Sequence, residues 1–308
     1  MECFLNSLPD SFNFKVPEVY QIEISSVCNL KCPSCLRNIP GYEVARKSFI
    51  DVGLVETIAK RDLSNSYFVE LQLSGEPLLH PELEKIIKIL KSKVKVGLST
   101  NGTLIRGKLD ALKHLDYLTV SVDSMNKEKY ERVRKGSSFE EFTDNLILLK
   151  ELKNVKIDYQ VVDYLKEDNV DKTSAKSEME NLSSFLKRNN LTGVVRSVPD
   201  CFMTYHTPSI HSTCKELCLN PWLSISVQTN GNCVPCCFDF TGECVYGNLN
   251  DNSLEELWQS DVLEDMRQSH KSGELIFKMC HKCYMRSPAL LHLGLMFNWV
   301  KDTDAIHI

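Results

Sequence analysis

No stretch of this sequence is apolar for long enough to cross a bilayer. The longest late run, "ALLHLGLMFNWV" (289–300), is too short and carries His292 and Asn298. The N-terminus, "MECFLNSLPDSFNFKVPEVY", has neither the basic start nor the unbroken apolar stretch of a signal peptide. A cytoplasmic protein without a membrane partner is the expectation. A basic excess is missing too. The net charge is −5, and lysine runs such as "KIIKILKSKVK" (85–95) read as the solvated face of a helix entering a strand, so nucleic acid is not an expected partner. No repeat, low-complexity tract or flexible linker interrupts the chain. Cysteine is absent between Cys35 and Cys201.

Elsewhere cysteine is abundant. Thirteen in 308 residues are too many for disulfides in a reducing compartment, which makes metal binding their leading use. Nine of them, Cys201, Cys214, Cys218, Cys233, Cys236, Cys237, Cys244, Cys280 and Cys283, crowd into the C-terminal third. That shift divides the chain into a large domain over 1–212, a cysteine-rich domain over 213–285 and a tail over 286–308. The length suits one large and one small core.

The large domain alternates two periodicities. Strands are expected at 19–24, 67–73, 94–99, 117–122, 155–162 and 193–198, each short, β-branched and bounded by turn residues. Helical spacing falls at about 52–62, 82–92, 105–114, 127–134, 138–152 and 175–189, with Asp51 as a cap and Pro81 in a first turn. Six β/α units predict an α/β fold, a partial (β/α)6 TIM-like barrel whose ligands sit at the C-terminal strand ends. The polar motifs fall there: a cysteine triad after strand one, "SGEP" (74–77) after strand two, "STNG" (99–102) after strand three and "SVDS" (121–124) at the end of strand four. The small domain reads as a hairpin over 222–235 turning at Asn230-Gly231, a helix over 252–270 opened by Ser253 and Glu256, and the pair in "MCHKCY".

The triad, Cys28, Cys32 and Cys35, has no fourth cysteine nearby. Zinc takes four protein ligands, or three and water. A cubane cluster takes four thiolates, so three would leave one iron without a protein ligand. A zinc knuckle on Cys32 and Cys35 is the plainer alternative. In the C-terminal third, "CVPC" (233–236) and "CHKC" (280–283) have the form of a zinc ribbon, but the interval between them exceeds the usual roughly 15–20 residues.

Triad, G-E-P loop, "STNG" and "SVD", each after successive strands, resemble the radical S-adenosylmethionine (SAM) superfamily over about residues 18–200. The resemblance implies that Cys28, Cys32 and Cys35 hold three irons of a 4Fe–4S cluster, while the amino and carboxylate groups of SAM chelate the fourth. Cleavage of SAM would then yield a 5′-deoxyadenosyl radical able to take hydrogen from an unactivated carbon. Gly75 would permit close backbone approach and Glu76 would accept from the ammonium of SAM. The family commonly has glycine at the position of Ser74. Thr100 and Asn101 would meet the sulfonium side or the ribose, and Ser121 and Asp123 the ribose hydroxyls or the carboxylate. Arg132, Arg134 and Lys135 read as a solvated helix end or an anion site. Asp158 and Gln160 face either the barrel interior or the helices.

The C-terminal third resembles a SPASM/twitch auxiliary domain through Cys218, "PW" (221–222), "TNGNCVPCC" (229–237), "GNLNDNSLEELW" (247–258) and "CHKC". That likeness implies one auxiliary 4Fe–4S cluster on Cys218, Cys236, Cys280 and Cys283, with Cys214 and Cys233 as replacement ligands. Cys3, Cys201 and Cys244 read as small buried hydrophobes. Cys237, adjacent to Cys236 on the expected return strand, would point to the opposite face and could return a hydrogen atom to a substrate radical.

The expected function is hydrogen abstraction from a small sugar- or aminocyclitol-like metabolite, ending in oxidation. Only about twenty residues precede the first strand, which leaves no room there for a leader-peptide-binding domain. The alternatives are an epimerase or maturase of a ribosomal peptide and a non-catalytic zinc or iron–sulfur protein. Flavodoxin or ferredoxin is the expected electron donor.

Overall fold

Runs of β-branched and aromatic residues form a central sheet because such side chains fit a pleated, half-buried surface. In the computed structural model, which describes residues 16–38, 44, 47–63, 66–163, 175–199, 218–239, 241–281 and 305–308, these runs become β1 (Val19–Ile22), β2 (Phe68–Leu71), β3 (Lys95–Thr100), β4 (Tyr117–Ser121), β5 (Lys156–Asp163) and β6 (Val194–Pro199). They pair in parallel and in sequence order. Between them lie α1 (Val52–Arg61), α2 (Leu83–Lys91), α3 (Leu109–Leu112), α4 (Lys127–Val133), α5 (Phe139–Leu148) and α6 (Ala175–Arg188). This is the expected partial barrel.

Alternation along each strand separates two faces. Tyr20, Ile22, Val69, Leu71, Val96, Leu98, Leu118, Val120, Tyr159 and Val161 join the apolar core with Val55, Ile58, Ile86, Leu146 and Leu182 of the helices. Each such side chain contributes roughly 1.5–3 kcal/mol when fully buried. The other face, with Gln21, Glu70, Thr119, Asp158, Gln160 and Arg196, is the inner one. Asp158 and Gln160 therefore point into the barrel.

The sheet does not stop at β6. The C-terminal third supplies α7 (Asn220–Leu223), β7 (Ser224–Val227), β8 (Asn232–Val234) and β9 (Gly247–Asn248). Strand β7 lies parallel to β1, and β8 and β9 follow antiparallel. On the far edge β10 (Ile306–His307) pairs antiparallel with β6. One ten-stranded sheet thus runs through both expected domains. The proposed boundary at 212, most of the tail, and Cys3, Cys201, Cys214 and Cys283 lie outside the described residues.

Several elements differ from expectation in detail. Asp51 does cap α1, its Oδ1 accepting from Leu54 N at 3.2 Å. Proline opens the short turn Pro77–Leu79 rather than α2, which begins two residues after Pro81. The expected helix over 252–270 breaks at Gln259–Ser260 into α8 (Leu254–Trp258) and α9 (Asp261–Ser272), because Ser260 caps a new helix through Leu263 N. A short helix, α10 (Lys278–His281), follows. Strand β8 ends at Val234, so Cys236 and Cys237 lie in the bend beyond it, where strand alternation no longer applies. Among the described residues no helix is long and apolar enough to cross a membrane.

Candidate active site

The strand ends bring the triad and the G-E-P loop into direct contact. A Cβ on Gly75 would lie 2.0 Å from Ser25 O and 2.6 Å from Val27 O, so only glycine lets the two loops touch. Glu76 N donates to Val27 O at 2.8 Å. The Arg37 guanidinium, two residues after Cys35, donates to the carbonyls of both Ser26 and Ser74, the latter at 2.8 Å.

Glu76 is buried at 2% exposure. Its Oε1 accepts from Leu78 N at 3.0 Å and from the Thr100 hydroxyl at 2.7 Å, and Oε2 accepts from Asn101 N at 2.8 Å. A carboxylate offers about four acceptor sites, so three donors leave one for a further cation. Burial pushes its pKa up in spite of these bonds. Thr100 and Asn101 thereby brace Glu76. The Asn101 amide also donates to Asn29 Oδ1 at 3.0 Å and approaches Cys28 Sγ at 3.9 Å.

Cys28, Cys32 and Cys35 are half-buried free thiols. Burial raises all three, Cys32 to about 11, and ionising one hinders the others, which places them close together. Arg37 and Arg134 oppose that rise. Among the described residues no three candidate ligands converge on a single point as they would around one bare ion. Clustered thiols with an N–H donor on Cys28 (Leu30 N, 3.5 Å) and cationic neighbours fit an iron–sulfur cluster, whose sulfurs take such hydrogen bonds.

The helix-end cations separate. Arg132 and Lys135 are exposed, whereas Arg134 turns inward, its Nε donating to Asp123 Oδ2 at 2.6 Å. Asp123 itself has a positive φ of 65° and 1% exposure, and its Oδ1 accepts from Val162 N at 3.4 Å. Its carboxylate is occupied in aiming Arg134, which leaves the guanidinium as the anion-binding group at this side of the mouth. Ser121, half-buried, ends β4.

Beneath the mouth the inner face is polar. Ser99 Oγ donates to Glu70 Oε1 at 2.7 Å, Ser226 Oγ to Gln21 Oε1 at 3.0 Å, and Arg196 pairs with Asp158 at 3.2 Å. Phe68 and Tyr117, at the N-terminal ends of their strands, meet edge to face at 5.9 Å and floor this lumen. Gly97 leaves room for Phe68 and Glu70 to lean across β3.

Sequence reasoning passed over Glu23. Fully buried one residue beyond β1, it accepts from Ser74 N at 3.3 Å and from the Ser74 hydroxyl through Oε1, and from Thr229 N at 3.1 Å through Oε2. Its only signal was an acidic residue closing an apolar strand just before the triad.

Of the auxiliary set, Cys218, Cys236 and Cys280 are buried. The Asn220 amide donates to Cys236 Sγ at 3.4 Å, a contact the sequence did not announce. The Cys237 thiol bonds that of Cys236, and this contact together with burial pushes Cys236 up. The opposite-face geometry expected of Cys237 is therefore not what the chain adopts. Cys233, on β8, sits in the core with Tyr246 and Leu249, where burial pushes its thiol up. Cys244 is buried beside Asp239 and raised to about 12, mainly by burial.

The family model described as the radical SAM superfamily matches residues 22–174, and that of the SPASM iron–sulfur cluster-binding domain matches 218–284. GTP 3',8-cyclase of Chlorobaculum tepidum is 29% identical over 145 residues, 45% of this chain and 42% of the relative. The Aquifex aeolicus enzyme of that name is 30% identical over 164 residues, 50% of each. The chain thus spans about half the length of the curated relatives it matches. Among solved structures, BtrN in complex with AdoMet and 2-DOIA has a TM-score of 0.50 at 18% identity, covering 84% of this chain and 89% of that one. Streptococcus suis SuiB bound to S-adenosylmethionine reaches 0.63 at 15%, covering 82% and 68%. The enzyme anSMEcpe with bound AdoMet reaches 0.62 at 16%, covering 94% and 97%.

Proposed function

Because the chain belongs to the radical SAM superfamily and carries a SPASM iron–sulfur domain, we propose that it abstracts hydrogen from a small, polar, sugar- or aminocyclitol-like metabolite and ends in oxidation. Its cofactors are SAM, a SAM-binding 4Fe–4S cluster and an auxiliary cluster. When bound, SAM supplies a 5′-deoxyadenosyl radical, and the protein binds, orients and excludes water.

The observation that carries the substrate class is the lumen. Glu70, Asp158, Arg196 and Gln21 lie enclosed below the mouth and above an aromatic floor. Buried polar groups demand partners, so such a chamber favours a compact substrate bearing hydroxyls or amines over an apolar one. In this reading Cys28, Cys32 and Cys35 hold the first cluster. Glu76 accepts from the SAM ammonium, and Arg134, aimed by Asp123, takes the carboxylate. Thr100 and Asn101 brace Glu76, Ser121 faces the ribose, and Gly75 keeps the loop close. Cys218, Cys236, Cys280 and Cys283 hold the second cluster, which would take an electron from the substrate radical. Flavodoxin or ferredoxin would deliver the first.

A second reading, modification of a peptide, draws on neighbours solved with peptides: SuiB with precursor peptide SuiA and anSMEcpe with Cp18Cys peptide. Anaerobic reconstitution followed by 5′-deoxyadenosine assays against amino-polyols and peptides separates the two. The expected product is two hydrogens lighter, with Cys237→Ala still active. Carbon-bound deuterium from deuterated water, lost in Cys237→Ala, would make Cys237 a hydrogen donor and the chain an epimerase.

A further inference from the structure

Glu23 joins two parts of the chain that the site description treats separately. Its Oε1 takes the amide and hydroxyl of Ser74, at the head of the G-E-P loop, and its Oε2 takes the amide of Thr229, in the turn of the β7–β8 hairpin. All three residues are at least 95% buried. A second strand of the same seam runs from the Thr229 hydroxyl to Ser48 Oγ at 2.8 Å, and from Ser48 to Ser26 in the triad loop at 2.9 Å. Arg37 ties the carbonyls of Ser26 and Ser74 together. Gly75 and Glu76, next after Ser74, are already pressed on the triad loop, so Ser74 has no freedom to move alone.

We infer that Glu23 and Ser74 are positioning residues through which the seating of the auxiliary hairpin and the shape of the SAM-binding loop depend on each other. Charge-assisted bonds to one buried carboxylate are strong, and losing one partner leaves the charge incompletely compensated. A state of the loop that binds SAM and a state of the hairpin that satisfies Glu23 therefore favour each other, and the coupling is reciprocal. The serine hydroxyl in this loop is the group that completes the link, and glycine there would lack it. The inference rests on the reading that the G-E-P loop binds SAM.

Hydrogen exchange of the reconstituted enzyme, with and without SAM, tests it at sites that no activity assay reports. SAM should slow exchange in residues 74–78 and also, about fivefold, at the Thr229 amide. Ser74→Gly should keep its iron and the first protection but lose that at Thr229, and should bind SAM about fivefold less tightly. Glu23→Gln, which presents an amide donor to one of these N–H groups, should do the same. Protection of 74–78 with Thr229 unmoved, or Thr229 protected equally in Ser74→Gly, overturns the coupling alone. No protection at 74–78 overturns the cofactor placement and the coupling with it.

Discussion

At the scale of single residues, the site is built from groups held by their neighbours before any ligand arrives. Glu76 shows this best, since three donors fix both oxygens and leave room for one more. Glu76→Gln replaces a charge-assisted contact with a neutral one and turns an amide toward N–H donors. SAM should bind about tenfold more weakly, a loss of roughly 1–2 kcal/mol, as measured by equilibrium dialysis on the reconstituted enzyme. Unchanged affinity would remove Glu76 from the SAM site. The sequence identified this glutamate but not its bracing, because hydrogen bonds from Thr100 and Asn101 depend on where β3 ends relative to β2. Asp123 is the opposite lesson. Its position after β4 was legible, while its engagement by Arg134 depends on a positive φ that no pattern of residue types specified.

At the scale of elements, short connections carry as much of the site as strands do. The turn Pro77–Leu79 is held by His80, whose ring accepts from Glu82 N at 3.1 Å through Nδ1 and therefore donates from Nε2 to Ile50 O at 3.1 Å. Burial lowers its pKa, so the folded chain keeps it neutral. The unfolded chain binds the proton from about pH 6.5 downward. This contribution is thus complete above that value and shrinks as pH falls toward the folded pKa. Thermal scans from pH 7.5 to 5.5 should show a steeper loss of Tm in the native chain than in His80→Gln. In the C-terminal third, Arg267 of α9 donates to Pro221 O at 3.1 Å and Trp258 O at 2.9 Å and stacks 4.8 Å over the Trp258 ring. It thereby holds the segment that carries Asn220 beside Cys236. Lysine cannot reproduce that fork. Arg267→Lys should cost about 2 kcal/mol, read as a lower Tm together with selective loss of auxiliary-cluster iron. The Asn-Gly hairpin and the Ser253 cap were visible as residue patterns. The break at Ser260 was missed because the apolar spacing continues across it.

The whole molecule combines the two iron-binding regions in one sheet, and the expected metal count follows. Two cubanes predict about eight irons per chain after reconstitution. Replacing Cys28, Cys32 and Cys35 by alanine should leave about four and abolish 5′-deoxyadenosine formation; zinc beside about four irons would instead support a ribbon. The alternation of β and α units made the barrel legible, since each unit is specified locally. The placement of β7 was not, because a parallel neighbour depends on the whole topology and not on the strand's own composition.

That placement has a consequence for how the chain is made. Strand β1 lies between β2 and β7, and the Gln21–Ser226 bond across the second pairing joins residues 205 positions apart. While the ribosome is still delivering the barrel, one edge of β1 stays open, with its N–H and C=O groups unpaired beside an unfilled lumen. Exposed edges of this kind invite pairing with other chains, and contacts so distant in sequence close late and slowly. The C-terminal third is therefore also the barrel's last stave, and until it arrives the nascent protein depends on dilution or a chaperone to stay out of aggregates.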